Sequence, residues 1–287
     1  MYLEISNIAA ACGKNPYESR EKMLLTSWAR HCPKIVKEYL IDNKCLKQLV
    51  GEEYSDIQKK VYSDVLPKEF DTKDFNNIQK EVIKEYKKAR NNEQTDIEIE
   101  KLIIKTKDSL QKDNGTLQEK NLIIKEEYTK GNDKMYYYNL EPECTIGGKH
   151  DASQDNLVLE IKTRVKKQNV RRNDYDLYQL IGYLLALQTS KGKIIQIYNK
   201  NKYDSDEATE IEFGIVDISK EPWTDLVFNI KESLKKYFQD LKELINTNNY
   251  IYLDKVIPKS IRPIGFLKEE NILDENIKYK NLIRHIQ

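Results

Sequence analysis

Long apolar runs are missing from this chain. No window of about 18 such residues occurs, so no membrane-spanning helix is expected. An excess of either charge is missing too: 48 Lys and Arg stand against 47 Asp and Glu, a net charge of +1 over 287 residues. Nucleic-acid contact, if any, must then come from local basic patches and not from a global field. The N-terminus lacks the basic and long apolar regions of a secretory leader, which points to an intracellular, soluble protein without a membrane partner. Cysteine is scarce. Cys12, Cys32, Cys45 and Cys144 show no C-x-x-C spacing, so they read as free thiols in a reducing compartment, used as small hydrophobes. The three histidines, His31, His150 and His285, are scattered. His150 adjoins Asp151 on an extended segment, where neighbours face opposite ways.

What is present concentrates between Gly147 and Tyr183. Asp151 follows a glycine-softened turn at the start of a hairpin. The run Leu157 to Thr163 has strand character, with Leu157, Leu159 and Ile161 on one face and Val158, Glu160 and Lys162 on the other. Residues two apart on a strand lie about 6.5 Å apart on the same face, so Glu160 and Lys162 project together, within reach of Asp151 if the hairpin closes. Two carboxylates and a lysine converging at a strand end suit a hard divalent cation, with the ammonium steadying a water and a phosphate. A helix is expected from about Asp174, where Gln179 and Tyr183, four apart, share a face. Upstream, Gly115-Thr116-Leu117-Gln118-Glu119 reads as a helix start, with Thr116 as N-cap and Glu119 closing a capping box. Glu119 also shares the apolar face of Leu122 and Ile123, where a metal would compensate its charge. On the helix alone both readings stand.

The order Asp151…Glu160-Ile161-Lys162 resembles the Asp…(Asp/Glu)-x-Lys core of the restriction-endonuclease-like (PD-(D/E)xK) nucleases. The opening Ile5-Ser6-Asn7-Ile8-Ala9 to Gly13-Lys14-Asn15-Pro16-Tyr17 is similar to that of the YqaJ-like viral recombinase family, to which phage lambda exonuclease belongs. The Gly-x-x-x-Glu helix, the Asp and Glu-x-Lys strands and Gln-x-x-x-Tyr follow in the family's order. The resemblance covers roughly residues 1–35 and 112–200.

The resemblance implies an α/β fold with a restriction-endonuclease-like core: a mixed sheet of about five strands flanked by helices, with a helical insertion. One nuclease domain is expected over 1–287, comprising an N-terminal DNA-end region (1–43), the insertion (44–112), a catalytic core (113–220) and a C-terminal helix and tail (221–287). It further implies a Mg²⁺- or Mn²⁺-dependent DNA exonuclease acting on duplex ends, 5′ to 3′, in recombination, repair or defence. Asp151, Glu160, the Ile161 carbonyl and Glu119 would hold metal, Lys162 would orient the attacking water, and Gln179 and Tyr183 would support Lys162 or the phosphate. Ser6 is the candidate phosphate ligand. Relatives place an arginine before that serine for the terminal phosphate; none precedes Ser6 here, leaving Arg20 or Lys22 as substitutes. Partners implied are duplex ends or single strands of DNA, a further copy of the chain, and a recombination or helicase protein. An Fe–S cluster, found in some nucleases with this core, is not expected, since no cysteine follows Cys144. The rivals are a structure-selective or single-strand endonuclease and a DNA-binding module without catalysis.

Around that core, Ser6 is expected to cap a short helix over residues 5–12, and Ser19 a second through about Tyr39. Asp71 to Arg90 and Ile97 to Leu110 show helical apolar spacing. The three tyrosines of Lys134 to Leu140 read as sheet packing, with stacking on unpaired bases as the alternative. Arg164, Lys166, Lys167, Arg171 and Arg172 form a basic loop suited to the DNA backbone. Lys193 to Tyr198 and Glu210 to Asp217 read as an antiparallel pair, and Asp225 to Ile245 as an amphipathic helix.

Overall fold

The computed structural model describes residues 1–33, 55–131, 134–164, 174–198 and 209–247, without the side chains of 209–211. Two compact units form.

The first unit holds strands β1 (Tyr2–Glu4), β3 (Tyr136–Glu141, apart from its first residue) and β4 (Cys144–Gly148), with helices α1 (Ile8–Ala11), α2 (Arg20–His31) and α7 (Trp223–Thr247). Its sheet runs β1-β4-β3, β1 lying parallel to β4. Helix α2 starts where expected because Ser19 Oγ accepts the Lys22 N–H. Trp28 and Leu25 from α2 and Leu234, Tyr237 and Phe238 from α7 are buried. The Tyr237 hydroxyl has polar partners in that core, pairing with Ser27 Oγ at 2.6 Å and donating to the Met23 carbonyl at 3.1 Å. Ser6, in contrast, is not a cap. Ile5–Asn7 form a 3-10 turn, and Asn7 stands at the N-cap of α1 without a side-chain bond.

The second unit holds the remaining elements. Helices α3 (Asp56–Val65), α4 (Phe75–Ala89) and α5 (Asp96–Lys125) precede a sheet ordered β2-β5-β6-β7-β8, with β9 also pairing β7. The strands are β2 (Thr129–Lys130), β5 (Ala152–Gln154), β6 (Leu157–Arg164), β7 (Lys191–Tyr198), β8 (Thr209–Glu212) and β9 (Val216–Asp217); helix α6 (Asp174–Ala186) lies between β6 and β7 in sequence. Strands β5 and β6 form an antiparallel hairpin whose turn puts Asp155 at φ 51°. Strand β7 pairs parallel with β6 and antiparallel with β8 and β9. The fold class is thus the expected mixed α/β one.

The helices between 55 and 125 carry a core of their own. Val61 and Tyr62, Ile78, Val82 and Tyr86, and Leu102 and Leu110 pack together, which explains the helical spacing on α4 and α5. One expectation fails here. Thr116 does not start a helix: α5 runs unbroken for 30 residues from its capping box at Thr95 and Glu98. Thr116 Oγ1 instead donates back to the Lys112 carbonyl at 3.1 Å. Asp113-Asn114-Gly115-Thr116 has local turn chemistry, but burial of Leu110, Asn114, Gly115 and Leu122 along one helix outweighs about 1 kcal/mol for a helical glycine.

Strand β6 divides as its alternation requires. Leu159 and Ile161 join Leu122, Ala152, Ile195 and Ile197 in one apolar cluster. The opposite face carries Val158, Glu160, Lys162 and Arg164. Helix α6 closes on the neighbouring β7 so tightly that a Cβ on Gly192 would lie 2.7 Å from Leu180 Cδ1.

Candidate active site

The hairpin brings Asp151 to β6. Its Oδ2 accepts the Ile161 N–H at 2.8 Å, and its carbonyl accepts the Gly131 N–H at 2.8 Å. Gly131 is required there, since a Cβ would sit 2.0 Å from the His150 carbonyl oxygen. Glu160 is wholly buried; its Oε1 is ion-paired with Lys162 Nζ, while Oε2 has no hydrogen-bond partner among the described residues. Glu119 reaches the cluster from α5, half-buried and under the field of Asp151 and Lys162.

Burial and mutual repulsion set the protonation of the three carboxyls. Burial first, then the Asp151 charge, pushes Glu160 up to about 8 against the pull of Lys162. Burial and then Asp151 likewise push Glu119 up to about 7. Asp151 is raised by burial, opposed by Lys162 and by the Ile161 N–H. For Lys162 burial acts downward, but Glu160 and Asp151 outweigh it and hold the ammonium charged. On α6, Gln179 Nε2 donates to the Tyr183 hydroxyl at 3.3 Å. Tyr183 is buried and raised mainly by that burial and by Glu160, so its phenol keeps its proton.

Asp151, Glu160, Lys162 and Glu119 therefore come together, with Tyr183 within their field and Gln179 bonded to it. The donor set is oxygen-rich, and a buried glutamate oxygen without a partner is the kind of group a hard cation satisfies. No three acidic, histidine or cysteine side chains are gathered closely enough among the described residues to form a finished cation cage. The donor types thus suit a hard cation, while the side chains alone do not enclose one among the described residues.

A second polar group, two residues further along β6, went unrecognised in the sequence. Arg164 is ion-paired with the wholly buried Asp176 of α6, whose Oδ2 also accepts from Gln196 Nε2 at 3.3 Å. Tyr198 donates to Gln196 Oε1 at 2.6 Å. Arg164 was expected on DNA; its guanidinium is committed to Asp176 and stacks over Tyr175. Asp176 stands in the first turn of α6, where an acid is ordinary in any helix. Gln196 did carry a signal, as the polar residue in the buried run Ile194-Ile195-Gln196-Ile197.

The other candidates are placed as follows. Ser6 is exposed in the first unit. Arg20, in the same unit, is engaged by Asp240 at 2.6 Å. Lys166, Lys167, Arg171 and Arg172 lie outside the described residues, as do Cys45 and the tail from 248. Cys12, Cys32 and Cys144 are free thiols. No helix among the described residues is long and apolar enough to cross a membrane.

No protein family matches the chain, and no curated protein matches it in sequence. Among solved structures it is similar to the alkaline exonuclease LHK-Exo from Laribacter hongkongensis, at 13% identity over 71% of this chain and 92% of that one, with a TM-score of 0.32. The same enzyme in complex with dAMP matches at 13% identity over 75% of this chain and 96% of that one, again with a TM-score of 0.32. The protein SSO0001 matches at 18% identity over 72% and 94%, with a TM-score of 0.33. Likeness at this level carries no residue-by-residue correspondence.

Proposed function

We propose that this protein is a divalent-metal-dependent deoxyribonuclease with a restriction-endonuclease-like core, acting as an exonuclease on duplex ends from the 5′ side. The observation that carries the reading is the imbalance at β6: three carboxyls, Glu119, Asp151 and Glu160, face one lysine, and an oxygen of wholly buried Glu160 has no partner among the described residues. Such a costly cluster is what a bound cation would complete.

Asp151, Glu160, the Ile161 carbonyl and Glu119 would hold Mg²⁺ or Mn²⁺. When bound, the ion lowers the pKa of a coordinated water and neutralises charge on the phosphate. The side chains supply the rest. Lys162 holds a fixed positive charge, anchored by Glu160, where a phosphate oxygen or water needs stabilising. Gln179 donates to Tyr183, so the phenol proton stays available for a phosphate oxygen or water beside Lys162. Lys166, Lys167, Arg171 and Arg172 would contact backbone phosphates, Ser6 is a separate candidate phosphate ligand, and Arg164 serves as a strut through Asp176. The engagement of Arg20 by Asp240 favours a second reading, a structure-selective or single-strand endonuclease without a 5′-phosphate clamp.

The test is cleavage of linear duplex labelled separately at each end, in Mg²⁺, Mn²⁺ or EDTA, alongside a closed circle. The expected result is metal-dependent release of nucleotides from the 5′ ends, absent in Lys162→Ala. Cutting of the circle selects the endonuclease. Equal cleavage by Lys162→Ala removes the site assignment.

A further inference from the structure

Beside the carboxyl cluster lies a cleft of about 300 Å³, at the small end of the range for ligand pockets. Glu119 and Lys162 line it together with residues from before the catalytic core: Phe75 at the start of α4, and Gln111, Lys112 and Asn114 on α5. Asn114 is 1% exposed, yet neither its Oδ1 nor its Nδ2 has a hydrogen-bond partner among the described residues. A buried amide without a partner costs stability unless a ligand or water completes it. Nothing in the expected motif of this site uses Asn114 or Phe75.

We infer that this cleft is a subsite for one unstacked nucleobase of the strand being cut, with Asn114 reading the base edge and Phe75, whose half-buried ring also packs against Phe70, offering its remaining aromatic surface. The chemistry selects that ligand. An amide presents a donor and an acceptor side by side, as base edges do. An aromatic face binds any base without much regard to sequence. Lys112, exposed and among the lining residues, adds a cation suited to a sugar-phosphate backbone. Contact with Lys162 makes the cleft continuous with the site of hydrolysis, so a base lodged here belongs to a nucleotide next to the scissile bond. The inference rests on the nuclease reading for its strand and register. It deepens that reading by giving helices α4 and α5 a part in substrate binding.

The experiment measures binding of a 3′-fluorescein single-stranded decanucleotide in EDTA, where no cleavage occurs. A set carrying one abasic site at each position in turn is compared with the intact strand, using wild type, Asn114→Leu and Phe75→Ala. The expected result is a single abasic position that weakens wild-type binding about tenfold, the effect of losing one stacked base. Asn114→Leu should bind the intact strand about tenfold less tightly and show no sensitivity to that position. It should also melt no lower than wild type, because it removes a buried polar group that has no partner. Phe75→Ala should show the same loss of position sensitivity, and supports the test should Asn114→Leu not fold. A flat abasic scan, or Asn114→Leu and Phe75→Ala both binding like wild type, overturns the subsite. Cleavage of duplex by the same wild-type preparation in Mg²⁺ then shows that the nuclease reading survives. Position-sensitive, Asn114-dependent binding without cleavage in any metal keeps the subsite and ends the nuclease reading instead.

Discussion

Strand β6 sends two charged groups to one face, Glu160 with Lys162 and then Arg164, and the surrounding protein treats them in opposite ways. At Arg164 the charges balance: one guanidinium meets one carboxylate, Asp176, and Gln196 and Tyr198 extend the bonding. At Glu160 they do not, since Glu119, Asp151 and Glu160 share one Lys162 and two of the carboxyls are pushed to about 7 and 8. Each group centres on a wholly buried carboxyl, Asp176 in one and Glu160 in the other. Burial of charge is therefore not by itself the mark of a functional site. What separates the two is the count of carboxyls per cation, and a surplus of buried carboxyls is what a cation-binding site needs.

Four substitutions or titrations would break or sharpen this contrast. The largest effect is expected at Glu160→Gln. Cleavage should fall at least about 10²-fold, the scale of removing one preorganised electrostatic group. The melting temperature at pH 6 should not fall, because the amide mimics the protonated acid that burial favours below about 8. A large drop in melting temperature would make Glu160 a structural partner of Lys162, no different from Asp176.

Next comes Asp176→Asn, which strands Arg164. Unfolding in urea should show a loss of about 3 kcal/mol, the low end for breaking a buried pair, with half-saturating Mn²⁺ in the cleavage assay unchanged. An altered metal requirement would move the balanced group into the active site.

The third effect is pH dependence. Above the ordinary value of 4.5 the unfolded chain releases protons that native Glu160 and Glu119 retain up to about 8 and 7. The native state then binds more protons, so stability falls as pH rises through that window. Without metal, the melting temperature should decline between pH 5 and 8, and less so in Glu160→Gln. The same carboxyls must ionise to take a cation. Half-saturating Mn²⁺ should thus drop by roughly tenfold per pH unit for each proton released, levelling off above about 8. A metal requirement independent of pH would contradict the raised carboxyls.

The smallest effect belongs to Tyr198→Phe, which removes one hydrogen bond to Gln196. About 1 kcal/mol of stability should be lost and cleavage should not change. A cleavage defect there would show that the balanced network positions the site.

The neighbourhood of these polar side chains was legible because it depends on local periods. The two-residue alternation of β6 placed Glu160 and Lys162 together, a turn brought Asp151 alongside, and four-residue helical spacing paired Gln179 with Tyr183. Glu119 was found for a partly wrong reason. It sits mid-helix on α5, not in a capping box, and only its position one turn before Leu122 was informative. Ser6 as a cap failed because the first turn is a 3-10 turn, a choice made by the burial of Ile5 and Ile8.

By itself, then, the sequence determined the strands and helices with clear apolar periods, the α/β class, and the set of acids and lysine on β6 and its hairpin. Those follow from spacing along the chain. The tertiary structure alone decided that α5 runs through Gly115, that Arg164 serves Asp176, and that Asn114 is buried beside Phe75 and Lys162. Each of these depends on which distant side chain becomes a neighbour, and on whether burial leaves a polar group with a partner or without one. Neither is a property of any local stretch of residues.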